Sequence, residues 1–429
     1  MSDATTDESV TNESLFTRGQ RVIPGGVNSP VRAFRSVGGT PKFIARGDGA
    51  YVWDVEGNRF IDYVQSYGAS ILGHAHPRVI EAVRHAAGFG TTFGAPTEGE
   101  VVLAEMICDR VPGVEQVRLV SSGTEATMSA IRLARGATGR ATLVKFDGNY
   151  HGHPDALLAA AGSGLAEQGL AASDGVTAGA IADTVVLPYN VVPELDNNVA
   201  VVIVEPVAAN TGLIPPAPGF LDGLRTACDR VGALLLFDEV ITGFRIEHGG
   251  ATAWSGVRPD LWCFGKVIGG GLPVGAFAAS TEIMSHLAPL GGVYQAGTLS
   301  GNPLATAAGR AVLAELDVDA YEELTAIATS LATGLRSAFE AAKVPAVVPQ
   351  VGPLVGLFFG DRAPRDHAEA RALVERQRYP AFFHGMLDRG IALAPGAYEV
   401  MFPSLAHSAD DIRVTVEAAA AVASSMPTD

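Results

Sequence analysis

Short apolar runs constrain the fold of this 429-residue chain more than any other feature of its sequence. VAVVIVEP, GALLLFDE and ATLVKF are almost continuously hydrophobic, and a strand without polar alternation is buried on both of its faces. Segments with the periodicity of amphipathic helices, such as HPRVIEAVRHAA, alternate with these runs from about residue 75 to 310. Buried strands separated by helices predict an α/β fold built on a large, mostly parallel sheet.

Flanking segments with other patterns predict further regions. The polar and acidic residues 1–12 are expected to be disordered, and 13–70 contain a β-meander, GAYVWDVEGNRFIDYV, that joins a smaller domain. A large domain then spans 71–315, and its stretch at 156–182, rich in alanine and glycine, lacks a clear period, which favours a mobile lid. Long amphipathic helices and short β-like runs predict the smaller α+β domain over 316–429.

Charge and hydropathy argue against two classes of partner. The formal net charge of −16 repels phosphate backbones, so we expect no nucleic-acid binding. The longest apolar runs fall far short of the roughly 18 residues that cross a bilayer, so we expect no membrane attachment. Three scattered cysteines without a C-x-x-C spacing suit reduced thiols, which favours a cytoplasmic location.

One lysine occupies a position that suggests chemistry. Lys266 directly precedes the glycine-rich turn in FGKVIGGGLPVGA, and it is one of only four lysines among the 30 basic side chains. Unlike arginine, a lysine amine can lose its proton near neutral pH and attack a carbonyl. Asp238 ends the apolar run GALLLFDE, and open α/β sheets bind ligands at the carboxyl ends of their strands. A surface charge and a helix-capping acid are the alternatives that these residues leave open.

A third element of a site lies in RLVSSGTEATMSAIRLAR. Ser122, Gly123 and Thr124 lie between a strand and a helix, where free N–H groups and the helix dipole favour an anion. The same residues could only cap the helix. A phosphate cup, an acid and an amine together match the needs of pyridoxal 5′-phosphate, which forms an imine with a lysine and pairs its ring nitrogen with a carboxylate. Glycines after the lysine would let backbone and cofactor approach closely.

Several motifs carry a resemblance to a known family. SSGTEA, YHGH, EPV, FDEVITGFR and GKVIGGGLPVGA, in that order, resemble the class III aminotransferases of fold type I. The resemblance implies a seven-stranded sheet in the large domain. GGVNSPVRAF, ILGHAHP and YQAGTLSGNPLA narrow it to intramolecular aminomutases of that family, from about residue 15 to the end. The implied reaction moves an amino group from C2 to C1 of one five-carbon substrate and yields 5-aminolevulinate for tetrapyrrole synthesis.

The resemblance also implies roles by position. The cofactor, alternating between its pyridoxal and pyridoxamine forms, would bind covalently to Lys266, and Asp238 would pair with its ring nitrogen. The family's sites lie at a homodimer interface, and a contact with the tRNA-dependent reductase that supplies the substrate is a further expectation. The remaining cofactor contacts would be Ser122, Gly123 and Thr124 with Thr298 of the neighbouring subunit at the phosphate, Tyr150 stacked on the ring and Asn210 near the phenolic oxygen. The substrate would meet Ser29, Arg32, Tyr67, Glu399 and, from the lid, Ser163, with Arg32 clamping its carboxylate.

Two departures from the family pattern and several alternatives remain. Tyr67 stands in SYGAS where tryptophan is usual, and Ser121 stands where asparagine is usual, which affects the substrate pocket. The alternative functions are an intermolecular transaminase or amino-acid racemase with the same cofactor, and a catalytically silent protein that binds a phosphate ligand. The H-x-H pairs in GHAHP and YHGHP lack further metal ligands, so we expect no metal site, and His151 is expected to position Tyr150.

Overall fold

The structure is a computed structural model that describes residues 10–159 and 173–427. In chain order its strands are β1 (Ile44–Asp48), β2 (Tyr51–Asp54), β3 (Arg59–Asp62), β4 (Gln116–Val120), β5 (Thr142–Phe146), β6 (Thr184–Leu187), β7 (Val199–Val204), β8 (Leu234–Asp238), β9 (Leu261–Phe264), β10 (Gly275–Ala279), β11 (Gln350–Val351), β12 (Leu354–Val355) and β13 (Ile391–Ala392). Its helices are α1 (Asn12–Gln20), α2 (Pro77–Ala87), α3 (Glu98–Arg110), α4 (Gly123–Thr138), α5 (Ala178–Ile181), α6 (Phe220–Val231), α7 (Gly250–Ser255), α8 (Thr281–Met284), α9 (Pro303–Glu315), α10 (Val318–Ala342), α11 (His367–Val374), α12 (Tyr379–Leu387) and α13 (Ala409–Ala423).

The central element is a seven-stranded sheet with the order β4-β10-β9-β8-β7-β5-β6. The pairs from β9 to β6 are parallel, and β10 runs antiparallel to both of its neighbours. All six residues of β7 are buried, as its unbroken apolar run requires. The predicted α/β fold with a mostly parallel seven-stranded sheet is confirmed.

Each face of this sheet has its own hydrophobic core, because successive side chains of a strand point to opposite sides. Val202 and Val204 of β7 lie in the core that is covered by α2, α3, α6 and α9. Val201 and Ile203 lie in the core on the other face, which α4 covers with Ala126, Ala130 and Leu133. Helices on both faces leave the carboxyl edge of the parallel strands as the open side of the sheet.

A second core forms where the two ends of the chain meet. The N-terminal strands and β13 form a sheet with the order β1-β2-β3-β13, and β13 is parallel to β3. The long helix α10 packs against α13, burying Leu335 and Phe339 in this core. Ser408 caps α13, and its reciprocal partner is Asp411.

The N-terminal segment differs from its predicted content. Residues 1–9 lie outside the described part of the chain, but Thr11 already caps α1, and Asn12 is only 3% exposed. The Asn12 side chain donates a hydrogen bond to Asp54 Oδ2 at 3.0 Å, which fastens the helix to β2. The expectation of disorder is therefore wrong for Thr11 and Asn12.

Part of the predicted lid lies outside the described residues, because 160–172 are not among them. The flanking residues 156–159 and 173–182 are described, and the short helix α5 lies in the second of these flanks. Among the described residues, no helix is both long and apolar enough to cross a membrane. The structure also contains three free thiols, Cys108, Cys228 and Cys263, in agreement with the expectation of reduced cysteines.

Substitution of Gly309 tests the packing between α9 and the turn that follows Lys266. A Cβ at Gly309 would lie 2.0 Å from the carbonyl oxygen of Ile268, so backbone would have to move. We expect Gly309→Ala to lower the free energy of unfolding by about 1–3 kcal/mol in chemical denaturation. The matched control is Gly179→Ala, because a Cβ at this helical glycine meets nothing within 4 Å. Equal stability of the two variants would contradict the close packing of this helix.

Candidate active site

A cavity of about 250 Å³ opens at the carboxyl edge of the central sheet. The segments that follow four parallel strands, together with the N-terminus of α4 after β4, supply its walls. The structure brings together six of the predicted site residues here, namely Gly123, Thr124, Tyr150, Asn210, Asp238 and Lys266. They come from widely separated parts of the chain, so the topology of the sheet is what assembles the site.

Lys266 lies on the wall of this cavity, at the point where the chain leaves β9. Its backbone has φ of 48°, which is in the left-handed region, and it begins the tight turn Lys266–Gly269. Removal from bulk water lowers the pKa of its amine, while the nearby carboxylates of Asp238, Glu205 and Glu399 act in the opposite direction. Because desolvation is the larger effect, the neutral, nucleophilic amine is more populated near pH 7 than in an exposed lysine.

Asp238 is the last residue of β8, and its carboxylate is held from two sides. Oδ2 lies 2.7 Å from Nδ1 of His151, and Oδ1 accepts a hydrogen bond from the backbone N–H of Val240 at 3.1 Å. Burial lowers the pKa of His151 despite the hydrogen bond to Asp238, so its imidazole is neutral and Nδ1–H is the donor. The structure shows that the His151 side chain orients Asp238, and its expected role in positioning Tyr150 stays a prediction.

Glu205 is a site residue that sequence reasoning missed. It follows β7, is 3% exposed, and accepts backbone hydrogen bonds from Tyr150 at 2.7 Å and from Ala209 at 2.9 Å. The Asn210 side chain is a further donor. Burial, and then the charge of Asp238, raise the pKa of Glu205 to about 7. Glu205 thereby ties together the two segments that carry Tyr150 and Asn210.

A sequence signal for Glu205 existed. VAVVIVEP ends in an acid in the same way as GALLLFDE, and the two strands are neighbours in the sheet. The argument that singled out Asp238 therefore applies equally to Glu205.

The N-terminus of α4 faces the cavity through Gly123 and Thr124. Ser122 is the N-cap, and its hydroxyl oxygen accepts a hydrogen bond from the N–H of Glu125 at 3.1 Å. The capping interpretation is therefore confirmed for Ser122, and the next two residues line the cavity, where phosphate binding stays a prediction. The O–H of Ser122 stays available to donate, and the helix dipole favours an anion at this end.

Two glycines allow the backbone to close around this helix end. Gly152 has φ of 81°, and a Cβ there would lie 2.4 Å from Oγ1 of Thr124. A Cβ at Gly275, the first residue of β10, would lie 2.3 Å from the carbonyl oxygen of Ser122. A side chain at either position would push its segment away from the N-terminus of α4. Both glycines are therefore needed for the backbone to close around this helix end.

One of the glycines after Lys266 packs against a helix. Gly270 has φ of 56°, and a Cβ there would lie 2.9 Å from the carbonyl oxygen of Ala308 in α9. The absence of a side chain at Gly270 thus serves packing between the turn and a helix. The expectation that the glycines let the cofactor approach stays a prediction.

Tyr67 and Glu399 lie in segments close to the turn of Lys266. Tyr67 belongs to the segment Gln65–Gly68, which packs against the turn that begins at Lys266. Burial raises the pKa of Tyr67, and the charge of Glu399 raises it further. Burial also raises the pKa of Glu399, while the charge of Lys266 lowers it. Glu399 therefore lies near the amine of Lys266, and Tyr67 lies near Glu399.

The backbone of the Tyr67 segment is strained. Gln65, Ser66 and Tyr67 have φ of 43°, 52° and 56°, although none of them is glycine. Each such residue costs on the order of 1–3 kcal/mol and persists only where surrounding contacts fix it. Asp62 fixes the start of the segment, because its carboxylate accepts hydrogen bonds from the N–H groups of Val64 at 2.8 Å and Gln65 at 3.1 Å.

Other predicted residues lie outside the cavity of Lys266. Arg32 is exposed and lines a second cavity, of about 550 Å³, together with Tyr67. The carbonyl of Ser29 accepts a hydrogen bond from Arg32 N at 3.1 Å, which closes a turn below Arg32. Thr298 is exposed in a separate surface cleft, and Ser163 lies outside the described residues.

The histidine pairs do not form a metal site within the described residues, where no cluster of three or more His, Cys, Asp or Glu side chains is placed to hold a metal ion. His74 instead contacts Asp62 at 2.7 Å.

The cavity of Lys266 fits pyridoxal 5′-phosphate in the chemistry of its groups. It offers a helix N-terminus for a phosphate, an oriented carboxylate for a pyridinium nitrogen, an amine for an aldehyde and the half-exposed ring of Tyr150 for stacking.

Comparison with known proteins identifies relatives along nearly the whole chain. The class III aminotransferase family model matches residues 34–422. A glutamate-1-semialdehyde 2,1-aminomutase of Bordetella avium (strain 197N) is 53% identical over 418 residues, which cover 96% of this chain and 98% of the relative.

Two solved structures share the fold. An omega-transaminase from Sphaerobacter thermophilus superposes with a TM-score of 0.87 at 34% identity, over 97% of this chain and 98% of that one. A variant of a glutamate-1-semialdehyde aminomutase from Pseudomonas aeruginosa PAO1, in complex with PMP, superposes with a TM-score of 0.86 at 26% identity, over 96% and 93% of the two chains.

Glu205→Gln tests whether this buried carboxylate organises the site. Both carboxylate oxygens accept backbone hydrogen bonds, so an amide at Glu205 would turn its NH₂ group towards an N–H donor. We expect a loss of about 1–3 kcal/mol of stability and a cofactor Kd at least about tenfold higher, measured by denaturation and by titration of the cofactor absorbance.

The control for this variant is Glu100→Gln. Oε1 of Glu100 accepts from Thr97 at the start of α3, and an amide oxygen can replace it there. Cofactor affinity that is equal in both variants would show that Glu205 does not organise the site.

Proposed function

The chain belongs to the class III aminotransferase family, and we propose that it is a glutamate-1-semialdehyde 2,1-aminomutase, an isomerase. It converts (S)-4-amino-5-oxopentanoate to 5-aminolevulinate for tetrapyrrole biosynthesis. The observation that carries the proposal is the convergence of Lys266, Asp238 and the N-terminus of α4 in one cavity. The identity of 53% over 98% of a named aminomutase supports the choice of reaction.

The enzyme uses pyridoxal 5′-phosphate and its pyridoxamine form, which when bound carries the amino group and accepts electrons from the reacting carbon. We assign the phosphate to the N–H groups of Gly123 and Thr124 and to the Ser122 hydroxyl. Asp238, oriented by His151, would keep the ring nitrogen protonated. Tyr150 would cover the ring, and Asn210, hydrogen-bonded to Glu205, would lie near its phenolic oxygen.

Lys266 has two functions in this assignment. Its amine would hold the cofactor when that is in its pyridoxal form, and when free it would move protons between cofactor and substrate carbon. A lowered amine pKa suits both functions, because a protonated amine neither attacks an aldehyde nor accepts a proton. On the substrate side we place Tyr67 and Glu399, with Ser29 and Arg32 towards the substrate carboxylate and Ser163 on the lid.

An intermolecular transaminase is the second candidate, and one observation favours it. The omega-transaminase structure has a higher sequence identity to this chain, 34%, than the aminomutase structure, 26%. The two reactions use the same cofactor and differ in whether a second substrate takes up the amine. An assay that omits any second substrate can therefore distinguish the two reactions.

Glutamate-1-semialdehyde supplied without any other amino donor or acceptor provides that assay. We expect 5-aminolevulinate to accumulate over many turnovers per subunit, because the amino group returns to the same carbon skeleton. Product that stops at one equivalent or less per subunit, or that needs an added keto acid, would reject the aminomutase. Lys266→Ala should abolish turnover, while Lys343→Ala, which removes an exposed amine at the end of α10, should not change it.

We further propose that the enzyme is a homodimer with its active sites at the subunit interface. Large apolar side chains are exposed around Thr298, among them Phe93 at 53%, Tyr294 at 71% and Leu299 at 53%. Exposed apolar clusters of this kind mark association surfaces. Thr298, which lies outside the cavity of its own chain, would then contact the phosphate in the partner's site. We also propose a cytoplasmic location, which the free cysteines suit. There the tRNA-dependent reductase would transfer the reactive aldehyde directly to this enzyme.

Mixed dimers test the role of Thr298. Thr298→Asp would place a negative charge at the partner's phosphate, and Lys266→Ala removes the amine, so each variant alone should be inactive. In a hybrid dimer one site combines the intact Lys266 of one chain with the intact Thr298 of the other. Random reassociation should therefore restore about a quarter of wild-type activity in a symmetric dimer. Recovery of no activity from a mixture that forms hybrids would contradict a shared site.

A further inference from the structure

Arg245 is a buried cation whose partners are backbone carbonyls. It lies in the segment that follows β8 and is 0% exposed. Nε and Nη2 donate to the carbonyl oxygen of Gly68 at 3.2 and 3.1 Å, and Nη1 donates to that of Pro403 at 3.1 Å. The ring of Phe402 lies 5.4 Å from Cζ. Among the described residues, no carboxylate lies within 4.0 Å of this guanidinium.

A guanidinium at such a position requires an explanation, because burying a charge without a counterion is unfavourable. Burial lowers the pKa of Arg245 to about 9, so the group is still charged at neutral pH. What arginine provides is a rigid fork that can hold carbonyls from separate segments at once. The function of the residue must therefore lie in the segments that it joins.

One of those segments is the strained wall Gln65–Gly68. Asp62 holds its first residues, and Arg245 holds the carbonyl of Gly68, its last residue. A Cβ at Gly68 would lie 2.8 Å from the ring of Phe402, so this end of the segment is also tightly enclosed. Tyr67, between the two fixed ends, packs against the core around Phe402 while its segment contacts the turn of Lys266.

The other segment contains Pro403 and lies shortly after Glu399 in the chain. Arg245 itself follows Asp238 by way of the segment that closes one side of the cavity. A single side chain thus connects the sheet edge that carries Asp238 to the two segments that carry Tyr67 and Glu399. These two residues are the ones that the proposed function places on the substrate side.

We propose that Arg245 is a positioning residue that fixes the Tyr67 wall of the substrate pocket and thereby sets substrate affinity, with little effect on cofactor binding. The identity of the substrate in this inference rests on the proposed function. The positioning itself does not, because it concerns contacts within the chain.

The test compares Arg245→Lys with Arg140→Lys in the holoenzyme. Arg140 also donates to three backbone carbonyls, those of Val199, Val231 and Gly232, but at the opposite edge of the sheet. We expect Arg245→Lys to raise KM, and the Kd of 5-aminolevulinate measured by calorimetry, about tenfold, with kcat and cofactor absorbance nearly unchanged. Arg140→Lys should leave all four quantities as in the wild type.

A double-mutant cycle separates positioning from general destabilisation. If Arg245 acts through Tyr67, then Arg245→Lys should have little further effect on Kd once Tyr67→Ala has removed the wall. Additive effects of the two substitutions would overturn the proposal.

Hydrogen exchange gives a readout that does not depend on the substrate. The N–H groups of Tyr67, Ala69 and Ser70 are bonded within the wall, and we expect their exchange to be at least about tenfold faster in Arg245→Lys but not in Arg140→Lys. Unchanged exchange would overturn the positioning role. If wild-type enzyme neither binds nor forms 5-aminolevulinate, the proposed function fails, and this exchange still decides the role of Arg245. Arg245→Gln, which keeps one donor for Gly68, replaces the lysine variant if that variant does not fold.

Discussion

The site depends on the parallel pairing of β8 with β9. In this register Asp238 pairs with Cys263, so the two strands end at the same edge and deliver a carboxylate and, just beyond, the amine of Lys266. Because β7 is parallel to β8, Glu205 reaches the same edge. A one-residue slip would turn every side chain of a strand to the opposite face. The burial of β7, β8 and β9 therefore stabilises the sheet and also fixes the relative positions of Glu205, Asp238 and Lys266.

Desolvation and charge then compete at this edge. Burial lowers the pKa of Lys266 and raises those of Glu205 and Glu399, so it favours the neutral form of all three groups. The three nearby carboxylates favour the charged form of the amine, while the charge of Asp238 favours the neutral form of Glu205. Backbone N–H donors resolve part of this competition, because they stabilise ionised Glu205 without adding a formal charge. Burial and neighbouring charge therefore oppose each other at Lys266 and Glu399, whereas both favour the neutral form at Glu205.

Much of this arrangement could be predicted from the sequence, and each feature that was missed has an identifiable physical reason. Apolar runs that end in acids located Asp238, and the change from strand to helix located Gly123 and Thr124. The α1 helix was missed because its composition is polar, although Thr11 and Ser14 form a capping box.

Arg245 and Gly270 illustrate what local patterns omit. Their partners, the carbonyls of Gly68, Pro403 and Ala308, are backbone atoms far away in the chain, and no side-chain chemistry marks such acceptors in a sequence. Thr298 and Arg32 likewise have no place in the cavity of their own chain, so only a partner or a bound substrate would reveal their roles.

The antiparallel direction of β10 has a consequence for how this enzyme can vary. Since β10 runs opposite to β9, its first residue, Gly275, lies at the edge where β9 ends and meets the carbonyl of Ser122. The connection 266–275 therefore joins the amine directly to the residues that we assign to the phosphate. An insertion or deletion in this connection would displace both ends of the cofactor site at once. We therefore expect the number of residues in the connection to stay constant among relatives, while the lengths of other loops vary.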